Sequence, residues 1–286
     1  MQIETKELTI QDQRIKIHAI STGFVSVKTK FRESNQKGIL AIVFSFFDKK
    51  FTEWMPIWTW VIEHPEGIFL IDTGENAQVT DKNYFKASGS FANWLNTTQF
   101  KFKVDREEEI DRQLKSIGIS PDMITKVILT HLHLDHIDGL KHFPNTEILV
   151  NSIEWEKPYG DLPKLYPAWF KPTLISMDDD YSFFGKSHFL TKSKDLILII
   201  TPGHTHGHSS VLLKTDQCHV LFAGDVVYYE KQLLDGKFAA ANVSHRNAKE
   251  TYQKIKEFGR MNKLIVLPSH DNESASRLSN LRFLFS

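Results

Sequence analysis

Cysteine is almost absent: Cys218 is the single one among 286 residues, so no disulfide can close within the chain. A disulfide-stapled scaffold is excluded, and the usage fits a reducing compartment. An excess of one charge is missing too, since Lys plus Arg and Asp plus Glu stand at 35 each. No global field favours nucleic acid or an anionic membrane, and neither is an expected partner. No apolar run approaches the roughly 18 residues that a bilayer span needs. Residues 1–20 alternate apolar and polar side chains and lack the continuous core of a signal segment. Low-complexity linkers and fixed-period repeats are also lacking. What is there is a balanced composition, 41% hydrophobic and 24% charged, that predicts a soluble, cytoplasmic globular protein with a sizeable core.

The pattern of elements is α/β. "IETKELTI" and "QRIKIHAI" predict a hairpin, "GILAIVFSFF" a buried strand, and "WTWVIEHPEGIFLIDTG" two strands joined by a Pro–Glu–Gly turn. Residues 76–104 read as loop or short helices. A helix is expected next, capped by Asp105 with Glu108 three residues on, faced by Ile110, Leu114 and Ile117, and stopped by Gly118. "KVILT" and "TEILVN" are expected strands and "SIEWEK" a helical turn. Four prolines between Pro158 and Pro172 predict a surface excursion. "DDD" at 178–180 reads as a solvated turn. "DLILII", "SVLLK", "HVLFAG" and "KLIVLP" then read as strands, with a helix from His245 capped by Ser244 before the last.

Several of these strands stop at a side chain able to ligate metal. "KVILT" runs into His131, "LILIITPG" into His204, "VLFAG" into Asp225, "LIVLPS" into His270, and "IFLI" into Asp72. Strand ends along one edge of a layered α/β sheet gather sites, because the sheet aims distant residues at one point. Such a site spans residues 131 to 270 and argues for a single domain over 1–286.

The stretch "ILTHLHLDHIDGL", residues 128–140, gathers three histidines and two aspartates. His131 and His133, two apart, point the same way in extended backbone and can grip one cation. Asp135 and His136 follow where a loop can turn toward a second. Imidazole with carboxylate suits Zn²⁺, and also Mn, Fe or Co, while no thiolate set selects softer chemistry. A solvated polar turn would leave the other strand ends unexplained.

"HLHLDH" matches the H-x-H-x-D-H signature, and the chain resembles the metallo-β-lactamase superfamily, an αββα sandwich. "IDTG", "TPGHTHGHS", "AGD" and "SHD" follow the family's order across residues 38–275. The resemblance implies that His131, His133 and His204 hold one metal, that Asp135, His136 and His270 hold a second, and that Asp225 bridges them. Two divalent ions, with Zn²⁺ favoured, are the implied cofactors. Within the superfamily, Asp225 sets the chain apart from true β-lactamases, and Leu132 from the diiron flavoproteins. Glyoxalase II is similar in ligands, but its glutathione-binding helices cannot be located here. Tyr228, three residues after Asp225, makes the chain most similar to the quorum-quenching N-acyl homoserine lactonases.

That resemblance implies attack on a lactone carbonyl by hydroxide held between two metals. Tyr228 would donate to the carbonyl oxygen and Asp135 would shuttle a proton to the leaving alkoxide. Thioester or phosphotriester hydrolysis, or metal binding without turnover, stay open as alternatives. Asp72 is expected either to orient a ligand histidine or to cap a turn. His206 and His208 are expected in supporting positions of the loop, and Cys218 in the core. Phe46, Phe47, Phe51, Trp54 and Met55 could form an acyl trough, cover a sheet, or make a homodimer contact.

Overall fold

The opening hairpin forms as expected. β1 (Ile3–Ile10) and β2 (Gln13–Val27) pair from Ile3↔Ile20 to Ile10↔Gln13, turning through Gln11 and Asp12 with φ of 49° and 63°. Two positive-φ residues at a two-residue turn match the twist of the strands they join. The computed structural model describes residues 3–285 except 35, 37 and 182.

The first sheet continues with β3 (Met55–His64), β4 (Gly67–Ile71), β5 (Phe100–Lys103), β6 (Ile124–Ile128), β7 (Glu147–Asn151) and β8 (Thr173–Ile175). Its order is β1-β2-β3-β4-β6-β7-β8, with β5 paired to β2. Pairing is parallel from β4 to β8 and antiparallel elsewhere. The second sheet holds β9 (Asp179–Tyr181), β10 (Gly185–Phe189), β11 (Leu196–Ile200), β12 (Ser209–Lys214), β13 (His219–Gly224) and β14 (Leu264–Pro268). These lie in the order β14-β13-β12-β11-β10-β9, and only β13 and β14 run parallel.

Strand periodicity decides which side chains fill the layer between the sheets. On β3, Trp58, Trp60 and Ile62 share one face and pack with Phe222 and Ile265 of the second sheet. Trp60 and Phe222 meet at 5.4 Å between ring centroids. Val61, facing the other way, packs with Ile110 and Leu114 of the helix Ile110–Ser116. A strand buried on both faces needs such an unbroken apolar run. Truncating Trp60 to alanine would cost about 3–5 kcal/mol.

The outer face of the second sheet is covered by the helix His245–Met261. Ala248, Tyr252, Ile255 and Phe258 recur at helical spacing and pack on Ile197, Leu212 and Val266. Ser244 caps it, its side chain accepting from the Asn247 N–H at 3.2 Å. The architecture is therefore helix, sheet, sheet, helix, as expected. Among the described residues no helix is long and apolar enough to cross a membrane.

Four local expectations are corrected. "GILAIVFSFF" is not a buried strand but contains the helix Ile39–Phe46, with Leu40, Val43 and Phe44 exposed. Continuous apolar runs lack a deciding period, and β5 already occupies the edge of β2 beyond β1. That same β5 is a strand where only loop or helix was expected, held by pairing rather than by local propensity. Residues 179–181 form the edge strand β9, because Asp179 accepts from the Phe189 N–H at 2.9 Å and ties it to β10. The helix expected from Asp105 begins as a 3-10 turn over Arg106–Glu108, breaks at extended Glu109 and resumes at Ile110. Its cap is retained, the Asp105 N–H donating to Glu108 Oε2 at 2.9 Å.

Candidate metal centre

Five strands end at one rim of the sandwich. β4 leads to Asp72, β6 to His131, β11 to His204, β13 to Asp225 and β14 to His270. Two tight turns make the approach possible. Gly224 has φ +56°, and a Cβ there would lie 2.7 Å from His208 Nε2. Gly160 has φ +77°, and a Cβ there would lie 2.7 Å from His133 Nε2. Glycine alone meets both the backbone angle and the space.

The structure brings all seven predicted ligands together in two groups. Ligand atoms of His131, His133, His204 and Asp225 lie within 4.8 Å of one another, and so do those of Asp135, His136 and His270. Asp225 faces both groups. Its Oδ1 is 3.3 Å from His136 Nε2 and 3.3 Å from His270 Nε2, and its Oδ2 is 3.5 Å from His204 Nε2. Asp135 Oδ2 is 3.3 Å from His270 Nε2. Ligand atoms around a tetrahedral ion with bonds of about 2.1 Å stand roughly 3.4 Å apart, so these separations fit a shared cation.

For four of the five rings a contact on the far side fixes which nitrogen is offered inward, whereas His204 Nδ1 has no partner and its Nε2 lies 2.9 Å from His133 Nδ1. The carbonyls of Tyr159 and Pro56 accept from His133 Nε2–H at 2.9 Å and His270 Nδ1–H at 3.0 Å. His133 Nδ1 and His270 Nε2 are thereby left with lone pairs. His136 Nδ1 contacts Asp72 Oδ2 at 2.7 Å, and His131 Nδ1 contacts Thr130 Oγ1 at 3.0 Å. His131 Nε2, His136 Nε2 and Asp225 Oδ1 are buried and have no hydrogen-bond partner. Leaving such atoms unpaired costs about 1–3 kcal/mol each unless a ligand takes them up.

Charge tells the same story. Burial, reinforced by neighbouring imidazoles, holds His131 and His204 well below the usual histidine range, so both are neutral and able to ligate. Burial alone would lower His270 and His136 as well. The carboxylates of Asp225 and Asp135 outweigh it, lifting His270 to about 10, and with Asp72 they lift His136. Burial would raise Asp225, but His270 and His136 hold it well below the carboxylate range. Among the described residues no lysine or arginine pairs with the seven. The carboxylates of this site thus draw positive charge as protons onto His136 and His270, and divalent cations would supply it in their place.

Supporting residues divide into expected and missed. Asp72, at φ +57°, accepts from the Thr130 N–H at 2.8 Å and its Oγ1–H at 2.9 Å while it holds His136. It therefore both orients a histidine and fastens the turn. Burial pushes His208 down to about 3, and its Nε2 accepts from the Asp225 N–H at 3.0 Å. His206 is exposed. Glu154 was not anticipated. Its carboxylate accepts from the Leu132 N–H at 3.2 Å, Thr205 Oγ1 at 2.6 Å and the Gly207 N–H at 3.1 Å. It fastens the His131–His133 segment to the His204 loop. A glutamate in "SIEWEK", one of two there, carries no pattern that would reveal this. Asp138 belongs to a different buried network, accepting from Tyr84 Oη at 2.5 Å and from Asn76.

Tyr228 lies buried beside the centre, its ring centroid 5.5 Å from that of His270. Burial, then Asp225 and Asp135, push its phenol well above the usual range, so it is a neutral donor. Met55 packs in the same apolar cluster, whereas Phe47 and Trp54 are exposed. Cys218 is buried in the layer between the sheets, as expected.

Two sheets with histidines and aspartates converging at their shared rim define the class. Residues 52–270 match the metallo-beta-lactamase superfamily, and the chain belongs to it. Its relatives narrow the comparison. An N-acyl homoserine lactonase of Bacillus cereus is 28% identical over 220 residues, 77% of this chain and 82% of that protein. The N-acyl homoserine lactonase AttM of Rhizobium radiobacter is 26% identical over 243 residues, 77% of this chain and 83% of that protein. A variant of B. thuringiensis AiiA, solved with N-decanoyl-L-homoserine at its active site, shares the fold with a TM-score of 0.73 at 24% identity. That likeness covers 91% of this chain and 94% of the other. AidC, a dizinc quorum-quenching lactonase, superposes with a TM-score of 0.65 at 15% identity, covering 94% of this chain and 91% of AidC.

Proposed function

We propose that this chain is a metal-dependent hydrolase that opens the lactone ring of N-acyl homoserine lactones, with two divalent ions held at the strand-end centre. The reading rests above all on Asp225, which turns one oxygen toward each histidine group. His131, His133 and His204 would hold one ion, Asp135, His136 and His270 the other, and Asp225 would be shared between them. A nitrogen and oxygen set of this kind favours Zn²⁺. Bound there, the ions would activate water near neutral pH and polarise the ester carbonyl.

The chain's own groups perform the remaining tasks. Tyr228, kept neutral, donates a hydrogen bond to the carbonyl oxygen as that atom gains negative charge. Asp135 is the more accessible acid, its side chain 19% exposed against 4% for Asp225. It takes up the proton released by the attacking water and passes it to the ring oxygen as the acyl carbon–oxygen bond breaks. Asp72, His208 and Glu154 hold the ligands in place. We place the whole of residues 1–286 in one catalytic domain, since both sheets contribute to the centre.

The test is mass spectrometry of N-hexanoyl homoserine lactone incubated with the purified protein near pH 7. Gain of one water, abolished by Asp225→Asn, supports lactone hydrolysis at this centre. An unchanged lactone, with a sample carrying two metal ions per chain, refutes it.

A further inference from the structure

The exposed large apolar side chains are not scattered. Of the 14 among the described residues, Leu40, Val43, Phe44, Phe47, Trp54, Phe91 and Trp94 fall in two segments. Those segments are the helix Ile39–Phe46 with its following loop, and the helix Ser90–Gln99. Phe46 stacks on Trp94 at 4.6 Å, and Phe91 meets Trp94 at 6.0 Å, so the two helices present one aromatic ridge. Phe47 and Phe91 are 77% and 73% exposed. A contiguous patch of this kind marks a contact with something else.

Charge around the ridge selects the partner. Neither helix carries an acidic residue. Lys28, Lys30, Lys49, Lys50, Lys101 and Lys103 flank them in sequence. Lys28 Nζ and Lys101 Nζ each lie 4.0 Å from the Phe51 ring centre, and Lys30 Nζ lies 5.9 Å from that of Phe44. The intervening Asp48 is buried and already accepts from Thr29 Oγ1 and the Lys30 and Lys50 N–H groups. Glu53 is paired with Arg32 at 2.6 Å. A chain with no net charge therefore has an apolar ridge bordered in sequence by lysines that make no ion pair among the described residues. Aromatic and aliphatic side chains bordered by lysines suit the interface of a lipid bilayer with an anionic surface.

We propose that this helix pair docks peripherally on an anionic lipid membrane. The expectation that no membrane is a partner rested on the global balance of charge, which conceals this local imbalance. A second copy of the chain suits the face less well. A twofold contact would bring the same lysines against each other. The chain leading into the docking face reaches the metal centre, because Phe31 of the helical turn Thr29–Arg32, just before the first of these helices, packs in one cluster with Met55 and Tyr228. A docked molecule would meet acyl amphiphiles where they concentrate, a consequence that rests on the hydrolase reading. The docking itself does not.

The experiment is co-sedimentation of the full chain with phosphatidylcholine vesicles, alone or with roughly 30% phosphatidylglycerol, and it needs no substrate. Binding several-fold greater to the anionic vesicles, weakened by added salt, is expected. Phe47→Ser with Phe91→Ser should lower it at least about tenfold. Lys49→Glu with Lys50→Glu, at an apolar ridge left intact, should remove the anionic preference. Far-UV circular dichroism and melting temperature check that each variant folds. Absence of binding, or equal binding by the folded aromatic variant, overturns the proposal. So does a concentration-dependent dimer in sedimentation velocity that Phe47→Ser with Phe91→Ser dissociates, since a second copy would then own the face.

Discussion

Two regions of this molecule gather histidine and carboxylate within ligating distance, and they are not alike. Glu109, Asp111 and His142 bring ligand atoms within 4.8 Å of one another, as the strand-end groups do. There the carboxylate is already occupied. Glu109 Oε2 lies 3.0 Å from Lys141 and 3.1 Å from His142, and Oε1 accepts from the Ala77 N–H at 3.2 Å. Burial would raise Glu109, but Lys141 and the Ala77 N–H outweigh it and hold the carboxyl low. At the strand ends no lysine or arginine among the described residues pairs with the carboxylates, and buried His131 Nε2 and His136 Nε2 have no hydrogen-bond partner. Residue type and proximity are thus shared, and Asp111 Oδ1 also lacks a hydrogen-bond partner. Of the two regions, partnerless buried imidazole nitrogens and carboxylates with no lysine or arginine beside them belong, among the described residues, to the strand ends. That difference is what defines a metal centre.

The largest effect that would break the comparison comes from Asp225. Asp225→Asn should lower bound metal from about two ions to one or fewer and lower kcat/KM on the order of 10³-fold, read by elemental analysis and progress curves. Tyr228→Phe should leave metal content intact and reduce kcat about 10²-fold, as expected for a donor that acts on developing charge. Glu154→Gln should weaken metal affinity roughly 10–100-fold, measured by competition with a chelator. His142→Ala sharpens the contrast from the other side. It should leave metal content unchanged and cost about 1 kcal/mol in denaturant unfolding.

The smallest effect concerns Glu66, in the β3–β4 turn. Bonds from the Ser193 hydroxyl and the Lys192 and Ser193 N–H groups bring it down to about 2. A carboxyl lowered on folding stabilises fully above its unfolded value of about 4.3, and loses that contribution as pH falls through the folded value. The stability gap between the native chain and Glu66→Gln should therefore shrink from pH 5 to pH 2 in acid unfolding curves.

Much of this site was legible because its information is local. His131, His133, Asp135 and His136 sit in one run, and His204, Asp225 and His270 each follow an apolar strand, so type and spacing reveal them. Asp72 was legible as a strand-end acid, but its double role depends on Thr130 and His136 meeting it in space. Glu154 was not legible, since its three partners come from two other loops. In the fold, the Ser244-capped helix carried both a cap and a period. Ile39–Phe46 carried neither, and its conformation follows from where the sheet edge is already filled. Sequence patterns report what a residue offers its neighbours in the chain; they are silent where tertiary partners decide.

The most direct measurement titrates metal-free protein with Zn²⁺ while following hydrolysis of an N-acyl homoserine lactone. Activity should be negligible without metal and rise to its full value as the second ion per chain binds, unaffected by His142→Ala. Full activity in the metal-free chain, or saturation at a single ion, would contradict a two-ion centre bridged by Asp225.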